Sequence, residues 1–123
     1  MIKTRRNDVT AFVTKDGSVI RELMHPAVHG NQNQSLAEAI VPPGQATIRH
    51  VHYRSEEIYH ITAGRGRMSL GEDEFEVRTG DTICIPPGIP HGLINTDTEE
   101  LVLLCSSSPP YDHDDTELLI PEA

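Results

Sequence analysis

Two histidines at His50 and His52 are followed by Glu56, Glu57 and Gly64 in the stretch RHVHYRSEEIYHITAGRG. Successive side chains of an extended chain point to opposite faces, so His50 and His52 project together and Val51 projects away from them. If the next run is also a strand, Glu57, Tyr59 and Ile61 share one face and Ile58, His60 and Thr62 the other. Two imidazoles and a carboxylate on the inward faces of neighbouring strands are three ligands for a divalent first-row metal ion. A His-x-His pair alone is weak evidence, because hydrogen-bonded or surface histidines produce it too. Glu56 has the opposite parity from Glu57 and reads as solvent-facing, or as an outer partner of a ligand. Arg49, opposite in parity to His50, points out of any barrel.

A second stretch, GDTICIPPGIPHGLIN, adds His91 immediately after a turn rich in proline and glycine. Pro86 and Pro90 fix φ, and Gly88 permits a conformation that other residues resist. Such a turn can hold the following imidazole at the fixed angle a metal ligand needs.

The spacing carries more than the residue types. The first stretch runs Gly44, five residues, His50-x-His52, four residues, Glu57, six residues, Gly64. The second runs Gly80, five residues, Pro86-x-Gly88, two residues, His91, three residues, Asn95. Together they resemble the two motifs of the cupin superfamily, with every motif position filled, and the intervening residues 65–79 have the short length of small microbial cupins. The resemblance implies an all-β fold, a six- to eight-stranded jelly-roll barrel (a double-stranded β-helix). It places the barrel at about residues 9–106 of a single domain 1–123, with a C-terminal extension at 107–123. It also implies that His50, His52, Glu57 and His91 hold one divalent transition metal (Fe, Mn, Ni or Zn) on the inner wall, and that the protein is a homodimer, as small cupins commonly are.

Three neutral imidazoles and one carboxylate leave a divalent ion with a net charge near +1, and an octahedral ion keeps about two positions for other ligands. Such a site suits a small oxygenated or anionic molecule, with the ion a Lewis acid or, as Fe or Mn, a one-electron partner. Cupins with this ligand set include dioxygenases, decarboxylases, isomerases and sensors, so the fold does not select the reaction. The expectation is a metal-dependent, dioxygenase-like enzyme; a non-catalytic small-ligand binding or sensing module competes with it. A sugar or sugar-phosphate isomerase is a weaker alternative, because no Lys or Arg follows Arg78 to meet a phosphate. Tyr59 shares the face of Glu57 and is the candidate catalytic residue, a core tyrosine being the plainer reading. Cys105 shares its face with Leu101 and Leu103 and, like Cys84, reads as a buried, inert thiol. His25, His29, His60 and His113 read as surface histidines.

The elements that must position these groups are short. Turn signals recur at 15–18, 29–31, 42–44, 64–66, 71–73, 79–81, 86–88 and 95–97. Between them lie β-prone runs at 11–14, 19–23, 37–41, 47–52, 58–62, 68–70, 75–78, 82–85 and 101–105. Only 35–40 has helical flavour, and Pro42-Pro43 ends it. Many short strands between Gly/Pro turns describe a sandwich or small barrel. The 123 residues suffice for a core without staples, so the two cysteines read as free thiols.

A formal charge of −9 argues against a nucleic-acid partner. The N-terminus lacks the apolar stretch of a signal peptide, and no run approaches the roughly 18 apolar residues of a membrane span, so a cytoplasmic protein is expected. The tail SSSPPYDHDDTELLIPEA is acidic and reads as a solvated surface. Yet Tyr111, Leu118, Leu119 and Ile120 are too apolar to leave in water, and packing over the barrel mouth or on a partner subunit would cover them.

Overall fold

The structure, a computed structural model, describes residues 1–120; the last three residues of the expected C-terminal extension lie outside the described residues. In chain order the elements are β1 (Phe12–Val13), β2 (Val19–Met24), a one-turn helix α1 (Pro26–His29), β3 (Ser35–Val41), β4 (His50–His52), β5 (Glu56–Ala63) and β6 (Arg65–Leu70). They continue with β7 (Asp73–Arg78), β8 (Thr82–Ile85), β9 (His91–Asn95), β10 (Leu101–Ser108) and β11 (Thr116–Leu118). Two antiparallel sheets face each other, one ordered β1-β2-β3-β10-β5-β8 and the other β11-β4-β9-β6-β7. The expected all-β jelly-roll barrel is therefore what the chain forms.

Alternation decides what lies inside. Along β5, Glu57, Tyr59 and Ile61 are buried while Glu56, Ile58 and His60 are exposed, as the period of two requires. The core gathers Ala39, Val41, Tyr59, Ile61, Met68, Val77, Ile85, Leu93, Leu101 and Leu103 from both sheets. This packed half of the barrel is a rigid base for the residues above it. The glycine closing the first motif has a steric reason. Gly64 has φ +81°, and a Cβ there would collide with the backbone carbonyl of Glu100. Only glycine allows the β5–β6 corner to lie that close to β10.

Some elements differ from the sequence reading. Residues 35–40 are strand, because β3 pairs along its length with β10 and β2, and that pairing outweighs local propensity. Strand β9, hidden behind Pro90 in a stretch that reads as turn, pairs with β6 from Gly66↔Asn95 to Leu70↔His91. The tail does not stay beyond the barrel. Strand β10 runs on to Ser108, and β11 joins the second sheet beside β4, with Thr116 opposite His52 and Leu118 opposite His50. Cys84 is exposed rather than buried, because it lies on the outer face beside Ile58. Among the described residues no helix is long and apolar enough to cross a membrane.

Candidate metal centre

The structure brings His50, His52, Glu57 and His91 together, all buried, with one ligand atom from each lying within 4.8 Å of the others. Strand β4 supplies the pair, β5 the carboxylate and β9 the third imidazole, His91 standing opposite His50 in the β4–β9 register. Glu57 Oε1 lies 3.3 Å from both His52 Nε2 and His91 Nε2.

The outer nitrogens fix the tautomers. His50 Nδ1 donates to the carbonyl of Ile48 at 2.8 Å, and His91 Nδ1 to that of Ile89 at 3.0 Å. A carbonyl only accepts, so each Nδ1 carries the proton and each Nε2 turns a lone pair inward. His52 Nδ1 meets Thr116 Oγ1 at 2.9 Å, and that hydroxyl donates its proton to the carbonyl of Asp112 at 2.9 Å. The hydroxyl oxygen thus accepts from His52, giving all three imidazoles one tautomer, the arrangement metal-ligating histidines adopt. Glu57 Oε2 accepts from Ser107 Oγ at 3.2 Å.

Electrostatics agree with this arrangement. Burial by itself would raise the pKa of Glu57, but the facing imidazoles of His52 and His91 outweigh it and hold the carboxyl at about 2. Burial lowers the pKa of His50, and His91 adds to that, against the opposing pull of Asp16 and the Ile48 carbonyl. Glu57 is thus held ionised and His50 is biased towards the neutral imidazole, the forms that bind a metal. Buried Glu57 Oε1 and His91 Nε2 have no hydrogen-bond partner within the protein. Two orphaned buried atoms facing one point would be costly alone, and a cation between them satisfies both. The residues fit a divalent transition metal.

His50, His52 and Glu57 line a cavity of about 810 Å³. Tyr59 is buried, its ring centroid 5.8 Å from that of His91, and burial followed by the charge of Glu57 raises its phenol pKa well above normal, so it keeps its proton. Cys105 lies beside Tyr59 on this inner wall, its thiol pushed up first by burial and then by Glu57. Glu56 faces solvent. Arg49 does turn out of the barrel, donating to the carbonyl of Gly71. His60 is exposed and bonded to Thr82, and His113 is exposed. His25 lines the cavity, because its Nδ1 accepts from Ala27 N to cap α1 while Nε2 donates to the carbonyl of Tyr111 at 2.7 Å.

Asp16 and Asp115 escaped the sequence reading, while Tyr111 packs at the cavity as its apolar character in the tail suggested. Asp16, in the β1–β2 turn, accepts from Ser18 N and Oγ through Oδ1 and places Oδ2 3.8 Å from His50 Nε2. The Asp-Gly-Ser pattern there signalled the turn without showing where it would land. Tyr111, from the tail, packs edge-on against His52 at 5.6 Å between ring centroids. Asp115 is buried, not solvated, and clamps the turn between β4 and β5. Its carboxylate accepts from Arg54 N at 3.0 Å, Ser55 N at 3.3 Å and Arg54 Nε at 3.3 Å. That turn joins His52 to Glu57, so a tail carboxylate sets the spacing of two ligands.

Comparison with known proteins agrees with this geometry. The family model described as "Cupin domain" matches residues 37–119. An uncharacterized protein of Methanocaldococcus jannaschii is 54% identical over 119 residues, 97% of this chain and 95% of that protein. The polyketide synthase CurC of Streptomyces cyaneus is 30% identical over 95 residues, 77% of this chain and 62% of that protein. Among solved structures, the polyketide cyclase RemF of Streptomyces resistomycificus superposes with a TM-score of 0.83 at 23% identity, covering 99% of this chain and 87% of that one. With the motif spacing, the two-sheet barrel and the matched family model in agreement, this chain belongs to the cupin family.

Proposed function

We propose that the protein is a divalent-metal-dependent enzyme acting on a small oxygenated molecule, and that its chemistry is proton transfer and ring closure rather than oxidation. The observation that carries this reading is the buried four-residue cluster with two orphaned atoms, whose His50, His52 and Glu57 line a cavity of about 810 Å³. A bound divalent ion supplies Lewis acidity to a carbonyl oxygen there. The chain's own groups do the rest. Asp16, with Oδ2 3.8 Å from His50 Nε2, is placed to accept a proton from a carbon next to that carbonyl. Tyr59 retains its phenol proton and is the candidate donor to the oxygen that leaves. The surrounding apolar wall excludes bulk water, which strengthens both interactions. Similarity to a polyketide synthase component and a polyketide cyclase supports ring closure of a poly-1,3-carbonyl chain.

Oxidative, dioxygenase-like chemistry is the second reading, favoured by a donor set of three imidazoles and a carboxylate that suits Fe or Mn. The test is to incubate metal-loaded protein with heptane-2,4,6-trione beside an oxygen electrode. Ring closure joins the first carbon to the sixth and expels one water, giving 3,5-dihydroxytoluene. Metal-dependent appearance of the aromatic product without oxygen uptake is expected. Oxygen uptake matching substrate loss would establish the oxidative reading, and trione bound but unchanged would establish a binding or sensing module.

A further inference from the structure

Cations lining the cavity are Lys15 and Arg54 among the described residues, and both are engaged. Lys15 Nζ donates to the carbonyls of Thr116 at 2.7 Å and His113 at 3.2 Å. Arg54 pairs with Asp112 and Asp115, each at 3.3 Å. Both ring nitrogens of His25 are spent on Ala27 and Tyr111. Against these stand the lining carboxylates Asp16, Glu22 and Glu57, with Asp112, Asp114 and Asp115 at the tail. The rest of the wall is largely apolar, including Phe12, Ile20, Val28, Ala37 and Leu103. Away from the metal-ligand cluster, an anion entering here loses its hydration, meets like charge and finds no free cationic side chain.

Glu22 is the odd member. It stands on β2, half-buried, in a cross-strand row that runs Glu22, Ala37, Cys105, Tyr59 along the cavity wall. One of its oxygens, Oε1, is buried with no hydrogen-bond partner in the protein. Three strand spacings of about 4.8 Å separate it from Tyr59, roughly 14 Å along the wall. It therefore marks the end of the cavity remote from the metal-ligand cluster. Burial raises its pKa more than nearby His25 lowers it. Its unpartnered oxygen is an acceptor for a ligand hydroxyl.

We propose that the cavity selects uncharged, largely aromatic molecules carrying a hydroxyl at each end, and that Glu22 engages the hydroxyl remote from the cluster. This specificity rests on the metal-centre reading above and deepens it by naming the ligand class. It narrows the expected class, a small oxygenated or anionic molecule, to its uncharged members.

The test uses protein loaded with Zn²⁺ and three probes of one shape: naphthalene-2,6-diol, 2-naphthol and 6-hydroxy-2-naphthoate. Affinities come from quenching of probe fluorescence, and metal content is measured on every sample. The diol is expected to bind about tenfold or more tighter than the naphthoate, the difference one well-made polar contact carries. Glu22→Leu should weaken the diol roughly tenfold and leave 2-naphthol unchanged, while Glu22→Gln, which keeps a hydrogen-bonding end, retains most of the diol affinity. Circular dichroism of each variant separates loss of the contact from loss of the fold, and if the leucine variant does not fold, the glutamine variant and the charge comparison decide. Naphthoate binding as tightly as the diol, an equal effect of Glu22→Leu on diol and naphthol, or no binding by any probe would overturn the proposal. Those failures with full metal content leave the metal centre standing. Failure to take up metal at all sinks the metal-centre reading instead.

Discussion

Replacing Thr116 by valine tests how far the C-terminal strand belongs to the metal centre. Valine matches threonine in shape, so β11 should keep its backbone pairing to β4, and only the hydroxyl that links His52 Nδ1 to the carbonyl of Asp112 is lost. His52 is 5% exposed, so no water easily replaces that partner. Its ring is left with a buried, unsatisfied N–H, at a cost of about 1–3 kcal/mol, or shifts the proton to Nε2, where it blocks ligation. Removing such an outer partner typically weakens metal binding about 10–100-fold, equivalent to about 1.4–2.7 kcal/mol. Competition against a chromophoric chelator, with Zn²⁺ as the titrant, reads this directly. Thr116→Ser keeps the hydroxyl and should stay close to the parent protein. A folded valine variant with undiminished affinity would refute the argument, as would a serine variant as weak as the valine one.

Glu57→Gln should lower metal affinity far more than Glu56→Gln, because only Glu57 faces the cluster and only its charge offsets the ion; elemental analysis of the two proteins after dialysis decides. Asp115→Ala should lower the melting temperature on the order of 5 °C at neutral pH by releasing the Arg54–Ser55 turn. Burial alone would raise the Asp115 pKa, but the Arg54 and Ser55 donors depress it. The contribution is therefore complete above the ordinary aspartate range and lost as pH falls through the depressed native value, so the gap between parent and variant should close in acid melts. Chelation should leave the barrel folded at 25 °C yet lower its midpoint. An ion at about a thousand times its Kd adds roughly 4 kcal/mol, on the order of ten degrees at this chain length. Melts with EDTA and then added Mn²⁺ or Zn²⁺ measure it, and an unchanged midpoint would argue against the centre.

The sequence was most legible where one local rule sufficed. Period-two alternation placed Glu57, Tyr59 and Ile61 inward, and fixed motif spacing brought His91 to His50. It was least legible where a contact joins distant segments. Nothing local to Thr116 tells that its partner is His52, 64 residues earlier. The acidity of the tail suggested a solvated surface, yet Asp115 found its donors at Arg54 and Ser55, upstream of the last basic residue, Arg78. Strand β9 was hidden because Pro90 and Gly92 are turn residues by propensity, and only pairing with β6 and β4 makes the segment extended. Asp16 reads only as part of a turn signal, and nothing local to it or to Glu22 tells that both residues line the cavity.

The order of strands in space also governs when this protein can exist during synthesis. The six-stranded sheet needs β10 between β3 and β5, and the other sheet needs β11 beside β4. Both follow every other strand of the barrel in chain order. Until then β3 and β5 have open edges on the nascent chain, and only nearby pairings such as β6 with β7 can form. Chains cut short before Leu101 would keep those edges unpaired, a state prone to aggregation and open to proteolysis. A closed barrel is thus a certificate that synthesis has passed β11.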